Sequence, residues 1–214
     1  MKTLITVFAC LTLFVAQAVA QDHNYIPLEP GNELWYVNTG DPSLTSHTFF
    51  EAGPGGTSIF NSEALVNCSV VGSQRGHFTG TPEGDVIWIG PEIGGDLIPF
   101  SSQYLRIDAP LFAGKTWSFE TSHPIFGAMQ FTAEVVAEEM LNVPGIGSLY
   151  CYKVHYDEFW ENAGPIASDR WFADGFGEVQ VLDLAVAPDP YLVTAGVVIP
   201  VEEKTWGDVK ASYK

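Results

Sequence analysis

Pro27-Leu28-Glu29-Pro30-Gly31-Asn32-Glu33-Leu34-Trp35 returns 83 residues later as Pro110-Leu111-Phe112-Ala113-Gly114-Lys115-Thr116-Trp117. In each copy a proline and a glycine set a turn, because proline fixes φ and glycine accepts backbone that other residues avoid. Each copy then runs through a tryptophan into apolar–polar alternation, the pattern of a half-buried strand. The tryptophans match if Leu34 counts as one extra residue in the first copy, and each is expected to anchor core. The repeat marks the start of two related β sub-sections, about 25–103 and 104–200.

Short alternating runs fill both sub-sections. The first holds 34–37, 48–51, 57–60, 65–71, 77–79 and 85–89, and the second 104–107, 116–120, 129–135, 149–156, 178–184 and 191–199. Met129, Phe131, Ala133 and Val135 share one face of their run, as a period of two requires. Gly72-Ser73-Gln74-Arg75-Gly76 reads as a hairpin connection. Residues 90–102 form a long connection that is apolar for a loop, a candidate lid. No window carries a capped apolar stripe of helical period, and 138–141 has room for one turn at most. With 21 glycines and 14 prolines among short strands, the expected fold is all-β. It is an antiparallel curved sheet, open barrel or sandwich built from two related meanders, with residues 21–214 as one domain.

Residues 1–20 read as a signal peptide: Lys2 supplies the positive start, 4–16 the apolar stretch, and Ala18-Val19-Ala20 the small-residue cleavage site. No later apolar run is long enough for a spanning helix. The expected location is secreted or periplasmic. The formal net charge is −17, and losing Lys2 with the signal makes it −18. Such a surface repels the phosphate backbone of nucleic acids and anionic membranes. Cys68 and Cys151 remain after cleavage, and in an oxidising compartment they are expected to form a disulfide, the alternative being two buried thiols.

Pro-Leu-x-x-Gly before tryptophan, Val143-Pro144-Gly145 ahead of Tyr152-Lys153-Val154, and Trp171-Phe172-Ala173-Asp174-Gly175-Phe176-Gly177-Glu178-Val179 follow one another in order. This succession resembles a group of exported bacterial domains of unknown function with the pattern PLxxGxxW, VPxG and WxAxGxGxV. The resemblance spans most of the mature chain and implies an antiparallel curved-sheet or open-barrel fold. It brings no catalytic residues with it.

The densest candidate site is His155-Tyr156-Asp157-Glu158-Phe159-Trp160-Glu161, an imidazole and three carboxylates beside two large aromatics. Paired carboxylates beside tryptophan are how glycosidases separate two pKa values, so Glu158 and Glu161 with Trp160 and Trp171 make a candidate carbohydrate-binding or carbohydrate-active surface. The same residues also suit the solvated end of a strand. His155 and Asp157 share a face, but no third ligand stands at diagnostic spacing, so no metal or cofactor is expected. Trp35, Trp88 and Trp117 sit in apolar strands as expected core. Trp88, Trp117, Phe119 and Phe131 are alternatively the lining of an apolar cavity inside the curved sheet, gated by 90–102. Nucleophile-elbow, zincin, phosphate-loop and dinucleotide signatures are absent from the sequence. The reading is a non-enzymatic binding or structural module whose partner is an apolar small molecule or another extracytoplasmic protein, with the carbohydrate role as the alternative.

Overall fold

The computed structural model describes residues 23–26, 28–38, 43–67, 69–143, 146–183 and 192–198. The signal segment and Cys68 lie outside the described residues. The first meander comprises β1 (Glu33–Asn38), β2 (Leu44–Ala52), β3 (Ser58–Val66), β4 (Ser69–Gly80), β5 (Val86–Ile93), the two-residue β6 (Asp96–Leu97) and β7 (Tyr104–Ile107). The second comprises β8 (Thr116–His123), β9 (Gly127–Val143), β10 (Gly147–Trp160), β11 (Gly164–Ala173), β12 (Gly177–Asp183) and β13 (Leu192–Val198). A single 3-10 turn at Pro54–Gly56 is the only helical element among the described residues.

All pairings are antiparallel. The order runs β6-β5-β4-β3-β2-β1-β13-β12-β11-β10-β9-β8, with β7 paired to β5, so the meanders join where β1 meets β13. The far ends curl toward each other without forming a ladder. Ser101 N donates to Ser122 O at 2.9 Å, and Trp117 Nε1 donates to Leu105 O at 3.2 Å. The fold is thus an open barrel that side chains almost close.

Those side chains form an aromatic girdle on the concave face. Phe50 meets Phe60, Phe60 meets Phe78, and Phe78 stacks on Trp88. Trp88 meets Tyr104 at 5.2 Å, and Tyr104 crosses the open seam to Phe119 at 4.6 Å. Phe119 then stacks on Phe131 at 4.6 Å, and Phe131, Tyr156 and Phe172 follow. Offset and edge-on contacts at these separations suit the ring quadrupoles and add about 0.5–1.5 kcal/mol per pair to the burial itself. Alternation supplies the girdle, because each strand sends every second side chain inward.

The two motif copies are structurally equivalent at their turns. Gly31 and Gly114 both take positive φ, 93° and 84°, which explains the glycine in each. Gly31 N donates to Phe50 O, and Gly114 N to Val135 O; Phe50 N and Val135 N return to Asn32 O and Lys115 O. This equivalence pairs Leu34 with Trp117 and leaves Trp35 opposite Ser118. Leu34 is therefore not an insertion. Because strand side chains alternate, Leu34 and Trp117 point inward and are buried, whereas Trp35 turns outward and stacks on His47 at 3.9 Å. The expectation that both tryptophans anchor the main core holds for Trp117 and fails for Trp35.

Other departures have equally local causes. Gly72–Gly76 is not a connection, since β4 runs through it and the turn lies before Ser69, with Asn67 at φ 49°. Residues 69–74 pair only with β3, because the β5 pairing starts at Gly76, so this exposed stretch has no core to impose alternation. At Gly76 a Cβ would come within 2.9 Å of Trp88 Nε1, so that glycine serves close approach. Residues 90–102 are largely hairpin: β5 continues to Ile93, turns at Gly94-Gly95, and returns with Ile98 N bonded to Pro91 O and Phe100 N to Ile89 O. Phe100 is buried in the core, which leaves no free lid. Residues 138–141 lie in β9.

Residues 22–24 read as a polar lead-in to the repeat, yet His23 and Asn24, with Tyr25 after them, strap the barrel. Tyr25 is 1% exposed, meets Tyr152 edge-on and accepts from Leu111 N through its hydroxyl. Asn24 N and His23 Nδ1 both reach the Asp174 carboxylate, at 2.8 and 3.1 Å.

Candidate functional site

Cross-strand register on β9–β10–β11 sorts the 155–161 segment onto two faces. Tyr156, Glu158 and Trp160 point into the barrel, and His155, Asp157 and Phe159 point out. Glu158 is 8% exposed. Its Oε1 accepts from Arg106 Nη1 at 2.9 Å and its Oε2 from Trp160 Nε1 at 3.0 Å. The Arg106 guanidinium also lies 4.6 Å from the Tyr156 ring centroid. Burial opposes ionisation of Glu158, but Arg106 beside it wins and holds the carboxyl below its ordinary value. Burial likewise pushes the Tyr104 and Tyr156 hydroxyls well above theirs. A second inward pair, Arg170 Nη1 to Glu178 Oε2 at 2.7 Å, shares the Tyr156 neighbourhood. These charges satisfy one another inside the barrel, a structural arrangement.

Glu161 goes elsewhere. Its Oε2 accepts from Ala128 N at 2.9 Å and fastens the β8–β9 turn. Trp171 faces outward, packed with Val143, Cys151, Ala173 and Val179 in a separate small core, and its Nε1 donates to Glu139. Glu158, Glu161 and Trp171 therefore do not share a cleft. Trp88, Phe119 and Trp160 pack against the main core, and Trp117 and Phe131 belong to it. The rings contact each other and Tyr104 fills the centre, so these residues are placed as packing.

Cys151 is a free, fully buried thiol, so the Cys68–Cys151 bridge is not formed. Val66 ends β3 and Ser69 begins β4, while Cys151 lies on β10, with five strands between β3 and β10 in the sheet order. Burial, reinforced by Glu139, pushes the Cys151 thiol up to about 11.

What the sequence reading left unassembled is the outward face. Reading across β9, β10 and β11, register places Gln130, Phe159 and Pro165 in one row and Thr132, Asp157 and Ala167 in the next. Glu134, His155 and Asp169 form the third row. The first two rows line an open groove of about 350 Å³. Phe159 is 48% exposed there. In the third row His155 Nδ1 lies 2.7 Å from Asp169 Oδ1, and Lys153 Nζ lies 2.8 Å from Asp169 Oδ2. Burial disfavours the Asp169 charge, yet the bonds from Lys153 and His155 prevail and lower its pKa. His155 Nε2 stands 3.4 Å from Asp157 Oδ2. The two acids approach opposite nitrogens of one ring, which is no geometry for sharing a cation, and no metal-holding cluster occurs among the described residues. The alternation of 155–159 was the signal that could have located this face.

No family model matches the chain, and no curated protein matches it in sequence. Among the described residues no helix is long and apolar enough to cross a membrane. Among solved structures the chain is similar to a Bacteroides fragilis protein with a YmcC-like fold, regarded as exported, at 14% identity and TM-score 0.48, over 81% of this chain and 97% of that one. It is also similar to a Parabacteroides distasonis protein regarded as a lipoprotein, at 11% identity and TM-score 0.47, over 82% and 98% of the two chains.

Proposed function

We propose that this protein is an exported, non-enzymatic binding module that engages a partner protein through the groove on the outer face of β9–β11. The observation that supports this reading is the contrast between the faces. The interior is filled ring against ring, while the open concavity with an exposed large aromatic, Phe159, lies outside. Half-exposed aromatics bordered by polar side chains are typical of recognition surfaces. The filled interior weighs against an enclosed apolar ligand.

A photo-cross-linking residue at Thr132 in the native host should trap one discrete partner, and the same residue at Val71, on the exposed arm of β4, should not. Identical adduct patterns from both positions, or none from Thr132, would refute the reading. So would native mass spectrometry showing a stoichiometric lipid-like ligand in protein from its own host.

A further inference from the structure

We infer that the occupant of this groove is an extended basic polypeptide segment lying along β10, with an apolar side chain over Phe159 and lysine or arginine side chains reaching Asp157 and Glu134. The inference rests on the outer-groove reading and specifies the chemistry of its partner. It follows from which charges on this face are already committed.

Asp169 is held at 2.7–2.8 Å by both His155 and Lys153, and Glu139 accepts from Trp171 at 2.6 Å. Lys153 also lies 4.9 Å from the Trp171 ring centroid. The cations of the face are therefore spent on Asp169 and Trp171. Asp157, its side chain 65% exposed, has only the 3.4 Å approach of a histidine whose other nitrogen is engaged. Glu134 is exposed, and no cation among the described residues lies within ion-pair distance of it. Two carboxylates without a lysine or arginine partner thus lie in successive rows to one side of an exposed ring, in a chain with 26 acidic and 9 basic residues.

Spacing selects the kind of cation. Phe159 and Asp157 are two residues apart on one strand, and the row holding Glu134 is two further, so the rows recur at about 7 Å. An extended peptide presents same-face side chains at that same interval. The apolar side chain lies on Phe159 and Pro165, and the lysine or arginine two residues on rests its methylenes on the neighbouring row while its charged head reaches Asp157, since such side chains pack their stems and keep the charge at the edge. The matching sequence is apolar-x-basic-x-basic.

The test is an NMR titration of isotope-labelled protein with three probes: capped Phe-Gly-Lys-Gly-Lys, capped Phe-Gly-Glu-Gly-Glu, and cellotetraose. The lysine peptide should saturably shift the Gln130, Thr132, Asp157 and Phe159 amides, and the acidic peptide should not. Asp157→Asn should weaken binding roughly threefold, the size of an exposed ion pair, and Phe159→Ala should weaken it as well. Diffuse shifts that both substitutions leave unchanged would overturn the inference by revealing a general acidic-surface effect. Cellotetraose shifting the groove amides while the lysine peptide does not would overturn the basic-segment inference and keep the groove as a binding site. If no probe moves these amides, both fall.

Discussion

Glu158→Gln removes one charge from an ion pair whose members are 8% and 12% exposed, and leaves the Arg106 guanidinium inside the barrel without its counter-charge. Breaking a buried pair from one side costs about 3–5 kcal/mol, mostly the desolvation of the charge left behind. With a urea m-value near the upper end for small proteins, about 3 kcal/mol/M, the unfolding midpoint should fall by about 1–2 M. Removing both charges with Arg106→Met and Glu158→Leu should recover most of this, because two well-packed apolar side chains can replace a buried pair at little cost. The residual loss, about 1 kcal/mol, is the Trp160 N–H deprived of its acceptor. The pH dependence follows from the lowered pKa of Glu158. The unfolded chain binds this proton near the ordinary value of 4.5 and the folded chain only at lower pH. The stabilisation is therefore complete above 4.5 and is lost as pH falls through the folded pKa. Glu158→Gln should flatten that part of the acid limb. Urea unfolding between pH 7 and 3 reads all three quantities. A single-variant loss below about 1 kcal/mol, or a double variant no more stable than the single, would refute the account of Glu158 as one half of a buried structural pair.

Trp117→Ala should cost about 3–5 kcal/mol and Trp35→Ala about 1–2, since the first empties core and the second removes an outward stack on His47; equal losses in thermal or urea unfolding would contradict the register of the two turns. Cys151 should resist alkylation in the native protein and react at once in denaturant without reductant, given its burial and a thiol pKa of about 11; a mass shift on reduction alone would restore the disulfide. Tyr25 has its pKa raised to about 12 by burial, so its contribution is complete below pH 10 and is lost as pH rises from 10 to 12. Absorbance titration should therefore show it ionising together with alkaline unfolding, and free reversible ionisation near pH 10 would contradict the strap.

Strand alternation made most of the fold legible. Met129 through Val135 announces β9 because every second residue of that stretch is buried. The reading failed where that condition failed. Residues 69–74 form a two-stranded arm with nothing to bury, so Gly72 and Gly76 looked like a turn. Burial of Phe100 against the seam made 90–102 seem too apolar for a loop, when it was a hairpin packed on the barrel. Proximity in sequence groups the acids of 155–161, whereas strand geometry sends Glu158 inward, Asp157 outward and Glu161 to a turn. The partners that decide their roles, Arg106 and Asp169, come from other strands and leave no local sign. Asp22 to Asn24 reads as polar because the residues that reach the core, Tyr25 and Ile26, come just after it.

The corrected alignment of the two turns also bears on where function can reside. Both turns make the same backbone bonds, Gly31 and Asn32 to Phe50 in one and Gly114 and Lys115 to Val135 in the other. The inward residue that follows differs in size, leucine in one meander and tryptophan in the other. Backbone geometry therefore defines the repeat, and the tryptophan that draws the eye in sequence is incidental to it. In a closed packing of rings an inward side chain must answer to its neighbours, so the concave face has little freedom to specialise. Outward positions carry no such constraint, and there the meanders diverge. The first sets Trp35, His47 and Phe49 in a mutual stack between Glu33 and Glu63. The second leaves Phe159 uncovered beside Asp157. An aromatic already stacked among its own neighbours has its face occupied, whereas Phe159 has a face to offer. That difference supports the proposed recognition surface on the second meander.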